Sequence, residues 1–268
     1  MKPLLEYPIE NGRIVTRSLE AHIVDHCNLK CAECCSLSPM LPARCVTPAQ
    51  VKADLEAALK VVSPTYLKLV GGEPLLHPQL MECIEVARPL ANILSVTTNA
   101  LLIEEMPDRF WQLLDGLTIS IYPKPKLPPT TLAFIKRKAA EFDVELNLKE
   151  QSNFVQMTRW QAPAGEDETR DVFAGCWLRE RCHIVDQGRF YMCTRPPHFD
   201  SFNGGNTKYL DDGVVLDERP TLVTEVHQYL TREQPLATCY RCLGGFADEK
   251  PHRQMNRAEL IALGEISL

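Results

Sequence analysis

Along the first 150 residues, short apolar runs alternate with segments whose apolar positions recur every three or four residues. Residues 19–25 (LEAHIVD), 66–70 (YLKLV), 93–98 (ILSVTT), 117–122 (LTISIY) and 144–149 (VELNLK) read as strands. The first helix is announced by Thr47-Pro48-Ala49-Gln50, a capping box with proline at the first helical position. Val51, Leu55, Ala58, Leu59 and Val62 follow at helical spacing. Further helices are predicted over 77–87, 106–114 and 130–142. This alternation predicts βαβ units, a parallel sheet and an α/β fold.

Two strands have a polar side. Leu117, Ile119 and Ile121 alternate with Thr118, Ser120 and Tyr122, and Val144, Leu146 and Leu148 alternate with Glu145, Asn147 and Lys149. A parallel sheet covered on both faces reads as continuously apolar. The polar side is therefore either solvated or the inside of a curved, partly closed barrel that holds a polar ligand. The second reading is preferred.

With 268 residues the chain can bury one large core, or one large and one small. A hydrophobic content of 45% and a charged content of 24% are ordinary for a globular protein. The net charge of −6 makes no electrostatic case for nucleic acid or an anionic membrane. No apolar run is long enough to span a bilayer, and the N-terminus has no signal-peptide pattern. Eleven cysteines without an export signal point to a reducing, cytoplasmic setting in which they serve metals or catalysis.

Those cysteines form two groups separated by a cysteine-free stretch, residues 84–175. In the first, Cys27-Asn-Leu-Lys-Cys31-Ala-Glu-Cys34 has the spacing C-x3-C-x2-C. Three thiolates can hold three irons of a 4Fe–4S cube and leave the fourth open to a small molecule. The run resembles the signature of the radical S-adenosylmethionine (radical SAM) superfamily. That resemblance implies a partial (β/α)6 TIM-like barrel with SAM inside, chelated to the open iron and cleaved reductively to a 5′-deoxyadenosyl radical. It also implies a flavodoxin- or ferredoxin-type electron donor.

Gly71-Gly72-Glu73-Pro74, at the end of the second strand, matches the family motif that holds the SAM ammonium. The resemblance assigns that role to Gly72 and Glu73, with glycines that allow close approach to a ligand. Thr97-Thr98-Asn99-Ala100 resembles a Thr-Asn-Gly that lines the SAM site, with Ala100 where the family has glycine. Asn99 is otherwise a turn residue. Ser120 matches a position that contacts the SAM carboxylate or ribose, and Asn147 and Lys149 are further candidates for cofactor or substrate. The residue before the third cysteine is usually apolar and packs on adenine; here it is Glu33. Cys35 breaks the ligand spacing, and Cys45 and Cys83 read as ordinary thiols.

The second group is Cys176, eleven residues, Gly188, four residues, Cys193, then Cys239-Tyr-Arg-Cys242. Four such thiolates can close a zinc site. Beside a radical SAM motif the pattern resembles the opening of a SPASM domain without its middle cysteines, the twitch version found in 2-deoxy-scyllo-inosamine dehydrogenases. This implies one auxiliary 4Fe–4S cluster on Cys176, Cys193, Cys239 and Cys242. Residues 183–186 and 189–192 read as a β-hairpin and 222–229 as a helix. Cys182 could replace Cys176 as a ligand, could be structural, or could be a catalytic thiol that donates hydrogen, as in radical SAM epimerases.

The expected organisation is an extension over 1–18, a radical SAM barrel over 19–165 and a twitch-like domain over 166–268. The short extension leaves no room for a leader-peptide module, which favours a small polar substrate such as a sugar, aminocyclitol or nucleoside. Glu145, Lys149, Arg189 and Arg195 could bind its hydroxyls or a phosphate. A second cluster suits dehydrogenation, and a hydrogen-donating thiol suits epimerisation. A peptide maturase and a non-enzymatic iron–sulfur or zinc sensor are the alternatives.

Overall fold

The computed structural model describes residues 6–264; residues 1–5 of the expected extension lie outside them. A short strand β1 (Ile9–Glu10) leads into β2 (Arg13–Val24), and α1 (Pro48–Leu59) carries the chain to β3 (Val62–Gly71). Then follow α2 (Leu80–Ala87), β4 (Ile93–Thr98), α3 (Asp108–Leu113), β5 (Gly116–Ile121), α4 (Pro129–Phe142) and β6 (Glu145–Glu150). β2 to β6 lie side by side in sequence order and are all parallel. The α/β class and the parallel sheet are as the periodicity predicts. The first two strands are longer than their apolar runs because mixed residues still pair in the ladder, such as Ile14 with Val62 and Thr16 with Pro64.

Helix α1 starts where predicted. Thr47 Oγ1 accepts from Gln50 N at 3.2 Å. The Gln50 side chain does not complete the capping box; it donates to Asp54 instead, at 2.8 Å. Asp54 is buried and also accepts from Gln187 N and Gly188 N, at 3.1 and 2.8 Å. The expected hairpin is β8 (Ile184–Asp186) with β9 (Arg189–Tyr191), joined by Gln187 and Gly188 at φ +50° and +71°. Two positive φ values form the primed turn that matches strand twist.

The sequence did not suggest where this hairpin goes. β8 pairs with β2 in parallel (Glu20 with Ile184, Ala21 with Val185), on the side opposite β3. A small strand β10 (Val214–Val215) completes the edge beyond β9. The hairpin thus extends the main sheet, which ends at β10 and β6 and stays open there. After β6, the chain forms β7 (Asn153–Val155), which leaves the main sheet and pairs with β11 (Glu249–Pro251).

One apolar core lies on the helix side. Leu19, Ala21 and Ile23 of β2, Leu67 and Leu69 of β3, Leu94 and Val96 of β4, and Leu117 and Ile119 of β5 join Leu55, Ile84, Trp111 and Ile135 of the four helices. A later helix, Leu222–Leu230, adds Leu222, Val226 and Leu230 at the hairpin end. Its Tyr229 hydroxyl donates to Asp212 O at 2.6 Å and accepts from Met192 N at 3.0 Å. No helix among the described residues is long and apolar enough to cross a membrane.

Candidate functional site

The other side of the sheet faces a cavity of about 800 Å³. Alternation turns every second residue of each strand into it: Ser18, Glu20 and His22 of β2; Tyr66 and Lys68 of β3; Ser95 and Thr97 of β4. Thr118 and Ser120 of β5 and Glu145, Asn147 and Lys149 of β6 continue the wall. The polar strand faces are therefore the lining of one cavity. Glu20 and Lys68 are neighbours in the ladder and form an ion pair at 3.5 Å. Burial pushes the Glu20 carboxyl up, against the pull of Lys68.

Cys27, Cys31 and Cys34 meet this cavity where the parallel strands end. The loop that carries them is anchored at its root by Arg44. This side chain donates to Asp25 at 2.7 Å and reaches Asp186 of the hairpin at 3.1 Å. Leu29 N approaches Cys27 Sγ at 3.4 Å, and the Asn99 amide nitrogen lies 3.8 Å from the same sulfur. That amide also donates to Asn28 at 2.7 Å. Burial pushes the thiols up, to about 12 for Cys27, about 11 for Cys31 and about 12 for Cys34, the last also through its neighbours Cys35 and Cys31.

Gly71, Gly72, Glu73, Asn99, Ser120, Asn147 and Lys149 line the same cavity. The reason for the glycines differs from the expected approach to a ligand. A Cβ on Gly71 would stand 2.3 Å from Val24 O, and one on Gly72 only 2.1 Å from His26 O. The close approach is to the root of the cysteine loop, held by Gly72 N to Val24 O (2.7 Å) and Glu73 N to His26 O (3.0 Å). Glu73 is 1% exposed. Its carboxylate accepts from Thr98 Oγ1 (2.5 Å), Leu75 N (3.0 Å) and Asn99 N (2.7 Å). Burial raises its pKa even so. Three fixed donors lock the carboxylate in place and leave a lone pair for a cation.

Ala100 has φ +60°, the left-handed conformation that favours glycine. Its methyl is fully buried in the core, which offsets the strain. The resemblance placed Glu33 and Pro74 at the cofactor, but neither lines the cavity. Glu33 is turned toward the charges of Arg253, Lys250 and Arg195, and burial raises its carboxyl. Pro74 is buried at the start of a short 3-10 turn, Pro74–Leu76. Arg195 is 1% exposed, with its guanidinium on Cys35 O, Thr158 Oγ1 and the Phe199 ring. Arg189 donates to Gly213 O, away from the cavity.

The second cysteine group also converges. Cys176 ends α5 (Glu166–Gly175), Cys193 follows β9, and Cys239 and Cys242 lie in and after the 3-10 turn Ala237–Arg241. All four line one small cavity, with Phe173, Leu178, Met192 and Leu236 among its walls. Burial raises the Cys176, Cys193 and Cys239 thiols, and each is raised further by neighbouring thiols of the set. Cys182 packs with Cys176 and Cys193 against Met157, Leu178 and Cys242 but does not line their cavity. It lines the large cavity, where burial and the Glu20 charge push its thiol well up. Cys83 is buried against the core and Cys45 is exposed.

Both sites fit iron–sulfur clusters by their donor sets. Every cysteine is free. Crowded buried thiols resist ionising unless a cation takes the place of their protons. Among the described residues, no group of three or more His, Cys, Asp or Glu side chains is set to hold a metal ion, so the fit rests on donor type and not on donor geometry.

Sequence reasoning missed Glu20, His22 and Lys68 in the first cavity, and Asn28, His252 and Gln254 beside it. A signal existed for the strand residues, since Glu20, His22 and Lys68 interrupt apolar runs. None existed for His252 and Gln254, which touch each other but lie far in sequence from Lys30, Cys31, Tyr122 and Phe154.

Fold and site define a class: an α/β protein with an open, mostly parallel sheet, and a three-cysteine loop at the ends of its strands. No family model matches the chain. It is similar to GTP 3′,8-cyclases. The identity is 30% over 110 residues with that of Picosynechococcus sp., covering 38% of this chain and 33% of the relative. It is 29% over 124 residues with that of Acaryochloris marina (44% and 37%) and 32% over 96 residues with the probable enzyme of Archaeoglobus fulgidus (36% and 31%). The match spans about a third of the length of these relatives. Among solved structures, Streptococcus suis SuiB bound to S-adenosylmethionine aligns over 80% of this chain and 68% of its own, at 12% identity and a TM-score of 0.39. Tagged anSMEcpe with bound AdoMet aligns over 75% and 63%, at 17% identity and a TM-score of 0.38.

Proposed function

We propose that this protein is a radical SAM enzyme acting on a small polar substrate, of the sugar, aminocyclitol or nucleoside class, with dehydrogenation or epimerisation as the outcome. The observation that carries the reading is the meeting of Cys27, Cys31 and Cys34 with Glu73 and Asn99 at one cavity whose sheet wall carries Glu20, Lys68, Ser120, Asn147 and Lys149. When bound, the cluster and SAM supply a carbon-centred radical that takes a hydrogen atom from an unactivated C–H bond.

The chain's own part is placement. The three thiolates hold three corners of the cluster. The Glu73 carboxylate, fixed by Thr98, Leu75 and Asn99, receives the SAM ammonium, and Ser120 is placed for its carboxylate or ribose. Lys68, Glu20, Asn147 and Lys149 offer donors and acceptors for substrate hydroxyls or an anionic group. Cys176, Cys193, Cys239 and Cys242 hold a second cluster, an acceptor for the electron that dehydrogenation releases. For epimerisation Cys182, beside Glu20 and Lys68, would give a hydrogen atom to the substrate carbon, and the resulting thiyl radical would return to the thiol with one electron from the second cluster and a proton from solvent. A flavodoxin- or ferredoxin-type protein supplies the first electron, in a reducing cytoplasmic setting.

Anaerobic reconstitution followed by dithionite and SAM tests this. The expected result is 5′-deoxyadenosine, with about eight irons and eight sulfides per chain for two cubes. Absence of 5′-deoxyadenosine, with and without substrate pools, overturns the enzyme reading. About four irons with one zinc removes the second cluster. The Cys182→Ala variant separates the two outcomes. An epimerase loses its product yet still forms 5′-deoxyadenosine, whereas a dehydrogenase keeps its turnover.

A further inference from the structure

The segment after β11 returns to the three-cysteine loop and runs along it. Ala32 N donates to Arg253 O at 3.1 Å and Met255 N to Lys30 O at 2.7 Å. Cys31 and Gln254 form an antiparallel bridge between these hydrogen bonds. This strap places two side chains on one sulfur. His252 Nε2 lies 3.3 Å from Cys31 Sγ, and Gln254 Nε2 lies 3.6 Å from it.

Both side chains are held. The His252 ring stacks on Tyr122, with centroids 4.9 Å apart and planes 25° apart, and leans on Phe154 at 5.3 Å. Tyr122 and Phe154 are themselves stacked, and both line the large cavity. Gln254 Oε1 accepts from Lys30 N, and its amide nitrogen also faces Lys124 O at 3.4 Å.

The protons can be assigned by counting. A cysteine bound to iron is a thiolate and has no proton to give. The His252 contact is favourable only if Nε2 carries the ring proton. Nδ1, buried without a partner, is then the bare nitrogen. Gln254 Nε2 also lies 3.3 Å from His252 Nε2; with the ring proton on Nε2 that approach is donor to donor and makes no hydrogen bond, so the two amide protons go to Cys31 Sγ and Lys124 O. Cys27, by contrast, receives a backbone N–H from Leu29 and faces Asn99. The hydrogen bonding of the three sulfurs is therefore unequal.

We infer that His252 and Gln254 are positioning residues that set the reduction potential of a cluster held at Cys31. The inference rests on the proposed function, in which the three cysteines hold that cluster. N–H groups aimed at a ligating sulfur draw charge from it and stabilise the reduced, more negative cluster, which raises the potential.

The test is an EPR-monitored potentiometric titration of the reconstituted full chain. The signal followed is the one that changes on adding SAM, which marks the three-cysteine cluster. His252→Phe keeps a ring for the stack and removes the N–H; Gln254→Leu removes the amide. Each is expected to shift the midpoint to a more negative value at unchanged iron content. Midpoints equal to the parent's in both variants overturn the inference. If His252→Phe loses its iron, Gln254→Leu decides alone; loss of iron from both assigns the strap a structural role and overturns tuning. A parent with no SAM-responsive signal overturns the proposed function instead, and this inference with it.

Discussion

Cys31→Ala is expected to abolish the SAM-responsive cluster and to reduce 5′-deoxyadenosine formation to the detection limit. Cys31 lies between the other two ligands on a short loop and is buried, with its sulfur already ringed by His252 and Gln254. Two remaining thiolates leave two irons of a cube without a protein ligand, and such a cluster is lost to solvent or chelators. Cys35 lines the same cavity and its charge bears on Cys31, so the variant is made in a Cys35→Ala background to remove a thiol that could take over. Cys45 is exposed and Cys83 faces the core. Cys45→Ala is the matched control and should keep both iron and product. Iron analysis and 5′-deoxyadenosine measured by chromatography read the outcome. A Cys31→Ala protein that still forms 5′-deoxyadenosine would show that the loop is not the SAM site.

The second large effect is expected from Gly72→Ala. A Cβ there would meet His26 O at 2.1 Å, His26 C at 2.5 Å and Asp25 O at 2.7 Å. All three are backbone atoms, and Asp25 is pinned by Arg44, so nothing flexible can yield. Forcing atoms into a filled site commonly costs 1–3 kcal/mol, and a rigid backbone neighbour puts this case at about 3 kcal/mol or above. The damage also reaches the chemistry, because His26 directly precedes Cys27. Urea unfolding of the iron-free protein should show the lower midpoint, and reconstitution should show reduced iron. Gly165→Ala, where no atom lies within 4 Å, should shift stability by less than about 1 kcal/mol. Equal midpoints for the two variants would show that the loop root can move aside.

The same close approach explains why Gly71-Gly72-Glu73-Pro74 was legible as a motif while its reason was not. The short spacing shows that the glycines matter. Only the fold shows that they admit the neighbouring strand's exit, with Glu73 then clamped by Thr98 and Asn99 from the next strand. Glu33 and Pro74 mark the opposite case. They adjoin site residues in the chain, yet the backbone turns Glu33 toward Arg253 and Lys250 and buries Pro74. Chain neighbours on a loop or turn need not share a direction.

What the sequence by itself determined was everything written at short range. Period-two and period-four patterns specify the βα units, because they decide which face is apolar. The C-x3-C-x2-C run brings its thiols together through local chain geometry. The polar strand sides already implied a wet interior. Tertiary structure decided what joins distant segments: the hairpin docked on β2, Cys182 on the large cavity rather than on the one lined by the other four late cysteines, and the strap that brings His252 and Gln254 to Cys31. Such pairings depend on shape and burial summed over the whole chain, and no local pattern encodes them.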